Sequence, residues 1–157
     1  MFNIFKKKST IKLTADSHSD CKVITTNSVD GETVTYYRAR LEGDFLGSVY
    51  LSGLKTDNGV FLDPGWVEGL IPLAWSHARN KREADRRLVS PGECAYIDLF
   101  AVKADGTKIP GTYKAWWPNS LKGILDKPRF ILCLRVKTRD VIQDYEILFD
   151  GENLNVR

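Results

Sequence analysis

The feature that most constrains this chain is an apolar pattern with a period near two. In Thr33-Val34-Thr35-Tyr36-Tyr37-Arg38-Ala39-Arg40-Leu41-Glu42, residues Tyr37, Ala39 and Leu41 fall on one face and Arg38, Arg40 and Glu42 on the other. That alternation is the signature of a half-buried strand. Phe130-Ile131-Leu132-Cys133-Leu134-Arg135-Val136-Lys137 repeats it, with Phe130, Leu132, Leu134 and Val136 inward. Residues 21–26, 48–54, 70–75, 93–102 and 144–149 are further candidates, which makes seven strands. Turn residues separate them: Asp30-Gly31, Asp57-Asn58-Gly59, Asp63-Pro64-Gly65, Ser90-Pro91-Gly92 and Asp105-Gly106. Short strands so punctuated predict an all-β fold, a two-sheet antiparallel sandwich of about seven strands.

Helical spacing is scarce. Residues 76–88 form the one good candidate: Ser76 can cap it, Glu83 precedes Arg87 by four residues, and Ala78 and Ala84 favour helix. The segment has no wide apolar stripe, so it reads as an insert on the surface, either a short helix or a loop. Residues 105–127 are a second irregular stretch, containing Pro110-Gly111 and Trp116-Trp117-Pro118-Asn119. A connection of that length is a common place for function.

The chain has 157 residues, the size of one domain, with 43% apolar and 27% charged residues, the balance of a folded protein. Residues 1–20 read as an N-terminal extension and residues 21–157 as the sandwich. No apolar run approaches the ~18 residues that span a bilayer. The N-terminus places Met1-Phe2-Asn3-Ile4-Phe5 ahead of Lys6-Lys7-Lys8, the reverse of a secretory signal's charge order. Cys21, Cys94 and Cys133 are odd in number and lack CxxC spacing. They read as reduced thiols of a cytoplasmic protein, with no zinc site or disulfide framework.

Charge is unevenly placed. Residues 79–87 hold five basic and two acidic side chains, and the rest of the chain balances at 18 of each, so the whole net charge of +3 sits in this segment.

The order Tyr36-Tyr37-Arg38-Ala39-Arg40-Leu41-Glu42, Pro72-Leu73-Ala74-Trp75-Ser76, Pro91-Gly92-Glu93 and Tyr96-Ile97-Asp98-Leu99-Phe100, followed by a final strand pair, resembles uncharacterised bacterial and phage immunoglobulin-like domains. More distantly it is similar to CARDB-type adhesion sandwiches, where a Pro-Gly-Glu turn feeds a strand. The resemblance spans residues 21–157 and implies an immunoglobulin-like sandwich serving as a binding or scaffold module. It brings no catalytic residue, and the 76–88 insert and the double tryptophan depart from a minimal sandwich.

Catalytic patterns are missing from the sequence. His18 and His77 are the only histidines and show no HxH or HExxH spacing. Gly43-Asp44-Phe45-Leu46-Gly47 is too short and apolar for a phosphate cradle, and there is no GxSxG elbow. Asp140 and Asp144 read as a solvated hairpin turn. The expectation is therefore a non-enzymatic module without cofactor or metal that binds another protein through its long loops. Alternatives are nucleic-acid binding through residues 79–87 and carbohydrate binding through an exposed tryptophan. The partner-binding candidates are Arg79, Lys81, Arg82, Arg86 and Arg87 together with Trp116 and Trp117. Neighbours in an extended segment point to opposite sides, so one of these two tryptophans should anchor the loop and the other face water.

Overall fold

The computed structural model describes residues 8–15, 19–26, 30–63, 69–76, 86–110 and 117–157. These residues are mostly β, as the alternation predicts. Eleven strands form one antiparallel sheet network: β1 Thr10–Thr14, β2 Lys22–Thr26, β3 Thr33–Lys55, β4 Phe61–Leu62, β5 Ile71–Pro72, β6 Arg87–Val89, β7 Cys94–Lys103, β8 Lys108–Pro110, β9 Phe130–Thr138, β10 Ile142–Phe149 and β11 Leu154–Val156. One short helix, α1, covers Asn119–Leu125. No described helix is long and apolar enough to cross a membrane.

The organising element is β3. The two strands expected at residues 33–42 and 48–54 are one strand of 23 residues, and the Gly43–Gly47 stretch read as a break lies inside it. Both its edges are paired. Along one run β2, β1 and β9, opposite Thr33–Tyr37, Arg40–Asp44 and Gly47–Lys55 in turn. Along the other, after the turn at residues 56–60, come β4, β5, β6 and β7, so the chain returns beside itself in one long interrupted hairpin. Alternation runs through the Gly43–Gly47 stretch, with Tyr37, Ala39, Leu41, Phe45, Val49 and Leu51 all inward, until a bulge at Ser52 shifts the phase and brings Leu54 to the core.

A strand this long must curve if its inner face is to enclose a core. Two glycines permit it. Gly43, at φ +133°, brings its backbone so near β1 that a Cβ would lie 2.1 Å from the Thr10 carbonyl oxygen. At Gly47 a Cβ would lie 2.7 Å from the Lys137 carbonyl oxygen, where β9 takes over the edge. The stretch left between the two expected strands thus acts as a corner within one strand.

The two halves of β3 are held over a shared core. Tyr37 stacks on Phe100 of β7 at 4.8 Å between ring centroids, and Phe149 of β10 meets Tyr37 edge-on at 5.2 Å. Phe130 of β9 completes the group, 5.4 Å from Phe100 and 5.3 Å from Phe149. Such pairs each add about 0.5–1.5 kcal/mol beyond their buried area. The Tyr37 hydroxyl donates to the Glu152 carbonyl at 2.8 Å, pinning the β10–β11 turn. Residues 71–76 form a second tie. Leu73 N–H donates to Val49 O at 3.0 Å, while Ser76 N–H donates to Tyr96 O at 2.8 Å and Trp75 bridges Ile97 on the far edge of β7. The strand expected over residues 70–75 is therefore only β5 followed by this strap.

Two further differences have plain causes. The sheet begins at Thr10, within the stretch read as an extension, because β1 fills the edge of β3 between β2 and β9. The irregular stretch 105–127 contains β8 and α1; the helix turns Leu121, Ile124 and Leu125 onto the core from the i, i+3, i+4 positions.

Ahead of β1, the Ser9 hydroxyl and amide donate to Asp140 at 2.6 and 2.9 Å, joining the chain to the β9–β10 turn. The hydroxyl bond, then the amide bond, holds the Asp140 carboxyl down at about 2. A depressed folded pKa contributes stability above the ordinary carboxylate range that is lost as pH falls toward that value. Ser9→Ala should raise the Asp140 pKa toward the ordinary range, measured by carboxyl NMR titration. An unmoved titration would show that Ser9 does not hold this carboxylate.

Candidate interaction surface

β6 lies at the outer bend of β3. Its Val89 faces inward opposite Phe45, and both are buried. Alternation then sends the next pair outward: Leu88 and Leu46 lie directly opposite each other, 63% and 43% exposed. The two side chains form a small apolar patch facing water. On the same outer face, two strands away across β9, Ile142 is also exposed and pairs with Lys137.

The charged residues at this surface come from the end of the basic segment. Arg86 and Arg87 are both exposed, and among the described residues neither joins an ion pair. The Arg87 guanidinium stands 5.9 Å from the Trp75 ring centroid. Trp75 is buried, so Arg87 is steadied on one side and open on the other.

The insert expected over residues 76–88 is corrected at its end: Arg87 and Leu88 belong to a strand, because Arg87-Leu88-Val89 alternates in register with β3. Arg79, Lys81 and Arg82 lie outside the described residues, as do Trp116 and both histidines. Trp117 is 1% exposed in the core, so it fills the anchor role and is not a partner-facing residue. Its buried indole N–H has no hydrogen-bond partner among the described residues. Trp117→Phe should therefore cost little, about 1 kcal/mol, because lost volume is offset by removing a desolvated donor. Urea denaturation measures it, and a loss above about 3 kcal/mol would show that the N–H is satisfied.

A concavity of about 490 Å³ opens on the outer face of β3, β9 and β10. Its charges pair with one another. Arg135 donates twice to Asp144, at 2.8 and 3.1 Å, and Lys55 donates to Glu146. Cys133 lines it, with its thiol pushed up to about 11 by burial, so it carries almost no thiolate at neutral pH. On the same outer face, toward the other end of β3, the Tyr96 hydroxyl donates to Asp20 at 3.1 Å, while Ser76 and Arg38 both donate to Asp98, at 2.6 and 3.0 Å. Burial, then hydrogen bonding, raises the Tyr96 hydroxyl to about 12. Among the described residues no group of three His, Cys, Asp or Glu is placed to hold a metal ion.

Sequence reading did not find Leu46 and Leu88. Leu46 was hidden because Gly43 and Gly47 flank it and suggest a turn. Leu88 was hidden because its neighbours read as helix or loop. The usable signal was Arg87-Leu88-Val89 beside Phe45-Leu46-Gly47, two short alternating runs that fit one another.

No family model matches the chain, and neither a curated protein nor a solved structure shows significant similarity to it.

Proposed function

We propose that the protein is a non-enzymatic interaction module that binds another protein over the outer face of β6. The observation that carries this reading is the exposed Leu46–Leu88 pair beside two exposed arginines that have no acidic partner among the described residues. An apolar centre with a cationic rim suits a protein surface that offers apolar and acidic groups. Nucleic acid would use the arginines and leave the leucines idle, so it is the second reading. The carbohydrate reading would rest on Trp116, since Trp117 is buried and Trp116 lies outside the described residues. The immunoglobulin-like resemblance agrees with a binding role, and the odd cysteine count agrees with a cytoplasmic setting.

The test is native purification from the source cell, repeated with Leu88→Asp and with Arg86→Glu/Arg87→Glu. A co-purifying polypeptide whose affinity falls at least about tenfold with Leu88→Asp, and also falls with the arginine change, supports the reading. Recovery of salt-sensitive nucleic acid that responds to the arginine change but not to Leu88→Asp would replace it with the second.

A further inference from the structure

Every open edge of a sheet presents unpaired backbone groups, and folded proteins guard such edges with proline, charge, bulges or brevity. Most open edges here are guarded. β1, paired only with β3 among the described residues, carries the exposed Lys12 at its centre, β8 ends in Pro110, β11 has three residues, and β6 adjoins Arg86 and begins with Arg87. β2 is different. It pairs with β3 through Lys22–Thr26 in unbroken register, and among the described residues no strand pairs with its other edge.

The sequence of that edge favours association. Val23, Ile24, Thr25 and Thr26 are all β-branched, with no proline, glycine or bulge. Ile24 is 65% exposed. Lys22, the strand's one charge, would ordinarily protect an edge. Here its ammonium donates to the Glu152 carbonyl at 3.1 Å and lies 5.7 Å from the Tyr37 ring centroid, drawn back over the strand's own sheet.

We propose that β2 pairs edge to edge with β2 of a second copy, giving a two-fold dimer in which the two sheets become continuous. The occupant follows from self-complementarity. Antiparallel pairing about an axis at Ile24 sets Ile24 against Ile24, Val23 against Thr25 and Lys22 against Thr26. No charge then faces a like charge, and the net charge of +3 per chain adds only mild repulsion. An isologous contact of this kind also closes on itself, using up the edge that would otherwise template open-ended assembly. Five residue pairs make a small interface, well below the ~1,200 Å² of stable complexes, so the dimer dissociates in roughly the micromolar to millimolar range.

Sedimentation equilibrium of the full chain from about 10 μM to about 1 mM tests this. The expected result is a mass rising from 17.8 kDa toward twice that value. Ile24→Lys should raise the dissociation constant at least about tenfold, and Leu88→Asp should leave it unchanged. Hydrogen exchange on the unaltered chain should show alternate β2 amides slowing as concentration rises, which keeps the proposal testable if Ile24→Lys fails to fold. A chain still monomeric at the highest concentration overturns the proposal. So does a dimer whose β2 amides exchange at the same rate at both concentrations.

Discussion

Phe100→Ala should cost about 3–5 kcal/mol, a large part of the total stability of a domain this size. The ring is almost wholly buried and touches Tyr37, Phe130 and Phe149, which come from three other strands. A β-bulge places it there. β7 pairs Phe100 with Tyr37 and Asp98 with Arg38, which leaves Leu99 as the extra residue and turns both Leu99 and Phe100 toward the core. Truncation removes the transfer energy of an aromatic side chain and opens a cavity where the folded sheet closes on itself. Neighbouring rings cannot collapse into it without breaking the stack on Tyr37. The loss is read from the urea midpoint, and the melting temperature should fall by roughly 6–20 °C. A cost under about 1 kcal/mol would mean that this ring does not join the two halves of β3.

Gly43→Ala is expected to cost roughly 2–6 kcal/mol, adding left-handed backbone strain of about 1–3 to a steric overlap of about 1–3. The overlap is with backbone: a Cβ would meet the Thr10 carbonyl oxygen and carbon at 2.1 and 2.8 Å, and no side chain can rotate away to relieve it. Either β1 shifts off the edge or β3 straightens at its corner. Hydrogen exchange distinguishes these outcomes, because loss of β1 exposes the amides of Thr10–Thr14 while the β3–β9 amides keep their protection. A variant as stable as the parent would show that the corner tolerates a side chain and that β1 is held elsewhere.

The period-two reading located the inner face correctly because side-chain alternation is set by the pleat and does not depend on where a strand ends. Tyr37, Ala39 and Leu41, and Phe130, Leu132, Leu134 and Val136, are all buried as expected. The expected turns at Asp57-Asn58-Gly59, Ser90-Pro91-Gly92 and Asp105-Gly106 are also present, each joining or interrupting neighbouring strands. Strand ends were less legible. Gly43 and Gly47 look like turn residues in sequence, and only the close approach of β1 and β9 reveals them as places where neighbouring backbones need room. The candidate surface was half legible: the arginines were visible as charge, but Leu88 became a surface residue only once its register opposite Leu46 was known. Trp116-Trp117 correctly suggested an anchor, while the choice of Trp117 depends on α1, which begins two residues later and turns three apolar side chains onto the core.

The double pairing of β3 bears on how the chain is made. Synthesis delivers β3 early, with β1 and β2 already available on one edge, but Gly47–Lys55 waits for residues 131–138 to emerge before that edge is closed. Until then the nascent chain carries Val49, Leu51 and Leu54 on a strand that lacks its neighbour. Closing it joins residues about eighty positions apart, the kind of step that slows folding from microseconds toward milliseconds or seconds. A ribosome-bound chain stalled before β9 should therefore be sensitive to protease between Gly47 and Lys55 and should recruit chaperones. Release of the last thirty residues should protect that segment all at once, because β9, β10 and β11 complete the edge as one unit.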